Sequence, residues 1–193
     1  MIRITSPDIS WKYEFLSVVA VIAMAVIIRA AFAQEFDDVA LLAIAAYREY
    51  SKVLTLDNWG IMETNLSKVA KVAQGGQLLV AQSGRELVGL VVYHPPGVSD
   101  SRLFPPEWAS LRMLGVSPQH RGRGVGQQLS LECVDRARQD KAEWIGLHTS
   151  ELMLGARRMY ERLGFKQDIE LPSHFGIRYW RYGLKLAEAS SER

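Results

Sequence analysis

Between Val116 and Ser130 the chain reads VSPQHRGRGVGQQLS. An apolar, strand-like run (SLRMLGV, Ser110 to Val116) leads into a proline. Three glycines then interleave with Arg121, Arg123 and Val125, and a helix-forming run follows. Val125, Leu129, Cys133 and Ala137 recur every four residues in that run, which marks one buried helical face. A strand joined to a helix through glycines restricts the chain to folds in which the helix packs on a sheet. It also leaves the first N–H groups of the helix unpaired at its positive end. Glycines let a ligand approach that backbone closely, so the segment predicts an anion site, with phosphate as the expected anion.

The common nucleotide loops do not fit. A dinucleotide-binding turn needs G-x-G-x-x-G, but counting from Gly124 the third glycine position holds Leu129, and counting from Gly122 it holds Gln127. No G-x-x-x-x-G-K-[ST] run is present. A formal charge of +2 over 193 residues gives no bulk attraction to nucleic acid. A nucleic-acid surface would have to be built locally from Arg121, Arg123, Arg136 and Arg138, and we expect none. The lone Cys133 rules out an internal disulfide and fits a reducing, cytoplasmic setting. No metal site is expected.

The remaining pattern predicts a mixed α/β order of one strand, two helices, three strands, a helix, a strand, a helix and two strands. Ala25 to Ala31 reads as the first strand. Asp37 and Asp38 mark the start of the first helix, VALLAIAAYREY. Asn58 to Ala73 reads as the second, stopped by Gly75-Gly76. QLLVAQ and ELVGLVVYH flank Ser83-Gly84 as a hairpin. PPGVSDSRLFPPEW is a long loop, and EWIGLH is a strand. Leu152, Ala156, Met159, Tyr160 and Leu163 mark a helical face ending at Gly164. FKQDIE and HFGIRYWRYGLKL supply two final strands. Residues 25–187 form the expected domain, residues 1–24 an apolar extension and 188–193 a frayed tail. Starting in the extension, Phe15 to Ile28 is an uncharged run, apolar but for Ser17. It is short for a span, which needs ~20 residues. A soluble chain is the simplest reading; a membrane anchor or a cleaved leader is the alternative.

Two motifs resemble one family. Arg121-x-x-Gly124-x-Gly126 is similar to the acetyl-CoA signature of GNAT-type N-acetyltransferases, and ARRMYERLGF, Ala156 to Phe165, resembles that family's A-x-x-x-Y-E-K-L-G-F. The resemblance implies a central mixed, mostly antiparallel sheet flanked by about four helices. It implies transfer of an acetyl group from acetyl-CoA to an amine of a small molecule or protein, by a monomer or homodimer. The alternative is a GNAT-like module that binds acyl-CoA without catalysis. The implied cofactor-binding residues are Leu114, Gly115, Val116, Arg121, Gly122, Arg123, Gly124, Val125 and Gly126. Met113 to Val116 would pair with the pantetheine arm, and a backbone N–H near Leu114 would face the oxyanion. Tyr160 is the implied general acid. Glu107 is a candidate base, with His94 and His148 as alternatives. Where the family often carries Asn, three residues before Ala156, this chain has Met153.

Overall fold

The computed structural model describes residues 25–186; the proposed extension and tail lie outside them. Seven strands form one sheet in the order β1-β2-β3-β4-β5-β7-β6. They are β1 (Val26–Ala30), β2 (Gln77–Ser83), β3 (Glu86–His94), β4 (Trp108–Val116), β5 (Trp144–Ser150), β6 (Lys166–His174) and β7 (Ile177–Lys185). The helices are α1 (Phe36–Tyr47), α2 (Leu56–Ser67), the single turn α3 (Val69–Val72), α4 (Val125–Gln139) and α5 (Leu154–Arg162). Each neighbouring pair of strands is antiparallel except β4 and β5. The expected mixed, mostly antiparallel α/β fold is therefore present.

Both faces of the sheet are covered, and the apolar residues divide accordingly. On one face Val125, Leu129, Cys133 and Ala137 of α4 pack with Leu79, Leu111 and Ile145. All four of those α4 side chains are buried, as their four-residue spacing predicts. On the other face Val39 and Ala43 of α1, with Met62, Leu66 and Val69, cover Val80, Leu90 and Val92. Because both faces are covered, alternation in β7 does not separate inside from outside, and Tyr179 and Trp180 are both buried.

Several boundaries depart from the sequence expectation, and three have a local cause. The second helix is not continuous to Ala73. The Ser67 hydroxyl donates to the Thr64 carbonyl, and Lys68 leaves helical geometry at φ −99°, ψ 22°, which separates α2 from α3. That helix also begins earlier than Asn58, because the Thr55 hydroxyl oxygen accepts from the Asn58 N–H as an N-cap. Finally, His174, Phe175 and Gly176 are not part of the last strand. Phe175 and Gly176 have φ of 57° and 74°, so they turn the chain between β6 and β7. Pro172 is tolerated in β6 because that strand is at the sheet edge.

The β4–β5 junction opens the sheet. These strands pair only at Trp108–Trp144, Ala109–Ile145 and Ser110–Gly146. Beyond that point β4 stays with β3 and β5 stays with β7, so the two diverge. Phe104, from the long loop before β4, lies over Gly146; a Cβ there would meet its ring at 2.6 Å and Trp108 at 2.9 Å. Gly146→Ala is expected to cost about 1–3 kcal/mol through overpacking. Tm should fall by roughly 2–4 °C per kcal/mol for a domain of this size. An unchanged melting curve would show that Phe104 has room to move.

Candidate active site

The divergence of β4 and β5 creates an open cleft of about 840 Å³. Its walls include the glycine loop, Met113 to Val116, Tyr160, and Tyr47, Tyr50, Arg112 and His148.

The loop carries the feature that its sequence predicts. Gly122 and Gly124 adopt φ of 73° and 81°, a backbone open to glycine and costly for other residues. Gly124 is the N-cap of α4, and the first bond into the helix is Gln128 N–H to the Gly124 carbonyl. Among the described residues, no acceptor takes the N–H groups of Arg121 through Gln127. These donors gather at the positive end of a fifteen-residue helix. Arg123 is exposed beside them. The Arg121 side chain takes a different part. It donates to the Glu49 carboxylate at 2.9 Å and to the Ala46 carbonyl near the end of α1. Arg121 thus ties the loop to α1 and satisfies a helix-end carbonyl.

Along the cleft β4 carries a bulge. Leu90 pairs with Gly115 and Val92 with Arg112, so Met113 and Leu114 stand opposite Val91 alone. Met113 has φ 54°, which turns the strand out of its ladder. The Tyr47 hydroxyl donates to the Leu114 carbonyl at 3.0 Å and holds the bulge against α1.

Tyr160 is 5% exposed, and its ring meets Phe165 edge-on at 5.7 Å. No described residue hydrogen-bonds its hydroxyl, although the residue lines the cleft. Burial, with lesser contributions from Tyr47, Cys133 and Tyr50, pushes its pKa well up, so the phenol stays protonated at neutral pH.

The base candidates separate. Glu107 is exposed just before β4 and does not line the cleft. His94 is buried against the Val72 carbonyl, 2.8 Å from Nε2, and also lies outside the lining. His148 does line the cleft, but burial first, then the charge of Arg112, lowers its pKa to about 4. Met153, the departure from the family pattern, is the N-cap residue of α5 and lines the cleft with Leu152 as an apolar wall. Tyr47, Tyr50 and Arg112 escaped the sequence reading. A charge inside the apolar run SLRMLGV was the available signal for Arg112.

Three of the four arginines that a basic surface would need are paired with carboxylates of the chain itself. Arg121 pairs with Glu49, Arg136 with Glu132 and Arg138 with Asp135.

A family model described as Acetyltransferase (GNAT) family matches residues 45–165. The chain belongs to the GNAT acetyltransferase family. It is 33% identical over 142 residues to N-acetyltransferase 8F1 of Mus musculus, a match covering 73% of this chain and 59% of that relative. It is 32% identical over 142 residues to mouse N-acetyltransferase 8B, covering 73% and 56%. The chain thus spans less than two thirds of the length of these relatives. Among solved structures, PaiA N-acetyltransferase of Thermoplasma acidophilum, in complex with coenzyme A, superposes with TM-score 0.67 at 15% identity; the match covers 84% of this chain and 100% of that one. The yncA protein of Salmonella typhimurium, solved with its cofactor acetyl-CoA, gives 0.64 at 19% identity, covering 88% and 98%. These likenesses establish the GNAT fold. No helix among the described residues is long and apolar enough to cross a membrane.

Proposed function

We propose that this GNAT chain is an N-acetyltransferase, moving the acetyl group of acetyl-CoA to an amine. One observation carries the proposal: a single cleft joins the free N–H groups of Arg121 to Gln127, the bulge at Met113 and Leu114, and the unpartnered Tyr160 hydroxyl. The N–H groups and Arg123 suit a pyrophosphate, and the gap beside Met113 to Val116 suits an extended arm with amides of its own.

In the reaction the amine nitrogen forms a bond to the thioester carbon, and the carbon–sulfur bond breaks. The nitrogen loses a proton and the departing thiolate gains one. The bulge can offer a backbone N–H to the oxyanion that develops between these events. Tyr160 is the donor to the sulfur. Its raised pKa makes complete transfer to a thiolate of ordinary pKa ~8.5 uphill, so its effect is a hydrogen bond that strengthens as charge accumulates.

Among the described cleft residues, neither His148 nor Glu49 is a matched acceptor for the nitrogen's proton. His148 is neutral above about pH 4, and Glu49 is held by Arg121. The amine therefore reacts in its free-base form; the proton it sheds after attack passes to solvent in the open cleft, and the thiolate, hydrogen-bonded by Tyr160, takes one back from solvent. Under this proposal kcat/KM should rise with pH through the acceptor's own amine pKa, near ~8 for an α-amino group. No inflection should follow His148 near 6.5, since that ring is already neutral there. The test is CoA-thiol release over a panel of amino acids, polyamines, aminoglycosides and N-terminal peptides, with pH profiles for two acceptors of different amine pKa. An inflection fixed near 6.5 for both would assign the proton to a histidine. Acetyl-CoA binding without thiol release from any amine would favour the non-catalytic acyl-CoA module.

We place this activity in the cytoplasm. The support is that Cys133 is the single cysteine, so no internal disulfide can form, which fits a reducing compartment. Cell fractionation tests that placement.

A further inference from the structure

Arg112 is unusual within the cleft. It lies in β4 beside the bulge and on the α1–α2 face, since its neighbour Leu111 belongs to the α4 core. Its Nε is buried and has no hydrogen-bond partner among the described residues. No described carboxylate lies within ion-pairing distance of its guanidinium. Asp100 acts on it only through space, because the Asp100 carboxylate is held by Arg102 at 3.0 and 2.8 Å. A half-buried cation without a partner is costly, and a ligand anion would remove much of that cost.

The surroundings point the same way. Among the described residues lining the cleft, Glu49 is the one carboxylate, and Arg121 already occupies it. A polyamine or aminoglycoside would bring further cations to a wall that offers Arg112 and no free acid. Beside Arg112 stands His148, neutral, with a buried Nδ1 that lacks a partner. A planar guanidinium with free donors is matched to a carboxylate in a paired, charge-assisted geometry.

We infer that Arg112 is a specificity-determining residue that binds a carboxylate on the acceptor, so that the preferred acceptors are amines carrying a carboxylate near the nitrogen, as in an amino acid. The inference rests on the N-acetyltransferase proposal for its turnover test, and a binding test stands apart from it. Its place next to Met113 sets the carboxylate one residue from the bulge where acetyl transfer would occur.

Thiol release is measured with phenylalanine, phenylalaninamide, phenethylamine and spermidine. The unaltered protein should favour phenylalanine over its amide by about 10- to 100-fold in kcat/KM, the effect of a hydrogen bond to a charged group. In Arg112→Met that ratio should collapse to within about threefold, and Arg112→Lys should retain part of it. Equal rates on acid and amide, a preference for spermidine, or a ratio unchanged in Arg112→Met would each overturn the inference. If no amine is acetylated, the function proposal fails and calorimetry decides the subsite alone. N-acetylphenylalanine should then bind in the presence of CoA, and Arg112→Met should weaken it about 10-fold or more. Absent or unaltered binding would overturn the assignment. Should the Met variant not fold, the acid-to-amide ratio of the unaltered protein decides it.

Discussion

Tyr160→Phe is expected to lower kcat by ~10²-fold or more while leaving folding and acetyl-CoA affinity close to those of the parent protein. The two halves of this expectation come from different features of one side chain. The ring packs against Phe165 and lies within the α4-side core, and phenylalanine keeps that packing. The hydroxyl has no hydrogen-bond partner among the described residues, so its removal leaves no protein donor or acceptor orphaned. What is lost is a donor that meets charge only as the carbon–sulfur bond breaks. Such an interaction belongs to the transition state, so kcat and kcat/KM should fall together. A ~10²-fold loss corresponds to about 2.7 kcal/mol. That magnitude is reasonable for a hydrogen bond to a developing anion in a buried setting. The measurement is single-turnover thiol release, where product dissociation does not mask chemistry. A full-rate Phe variant would make Tyr160 a core aromatic, with the thiolate left to solvent alone.

The glycine-loop part of the candidate site was legible in the sequence and the proposed acceptor part was not, for physical reasons. The loop from Arg121 to Gly126 would act through its backbone, and glycine spacing after a strand is a local signal of backbone exposure. The α4 face was equally readable, because Val125, Leu129, Cys133 and Ala137 all face one apolar layer. Tyr160 was reachable through its motif. The proposed acceptor part is assembled from α1, β4 and β5, segments far apart in sequence, so Tyr47, Arg112 and His148 meet only through the sheet order. The bulge at Met113 was invisible for a related reason: its extra residue exists only relative to β3. Arg121 illustrates a further limit. Its charge suggested a phosphate contact, whereas its pairing with Glu49 and the Ala46 carbonyl depends on where α1 ends. Glu107 was a candidate because it precedes β4, yet the cleft opens only after Ser110, past the paired segment.

Gly126→Val is the second substitution with a large expected effect, and it separates the cradle from the fold. At Gly122 and Gly124 any side chain would strain a left-handed backbone, so lost binding there would have two causes. Gly126 lies in the first turn of α4 without that constraint. A Cβ there would sit 3.5 Å from Met159 Sδ and from Val116 Cγ2, at ordinary contact distance. The backbone and the first carbon are thus accommodated, and in a helix valine is no worse than glycine by propensity. The two further methyl groups of valine must go into the space between Met159 and Val116, beside the N–H groups of Gly124 to Gln127. That is where a phosphate oxygen would reach the backbone under the proposed cradle. Each charge-assisted hydrogen bond displaced is worth about 1.5–3 kcal/mol. Losing one or two of them should weaken acetyl-CoA binding by about 10- to 100-fold or more. Gly126→Ala, with the Cβ alone, should fall between the parent and Val. Calorimetric titration with acetyl-CoA gives the affinity, and a melting curve checks the fold. If the Val variant melts like the parent and binds acetyl-CoA equally well, the N–H groups after Arg121 do not hold the pyrophosphate, and the anion site must be sought elsewhere along the cleft.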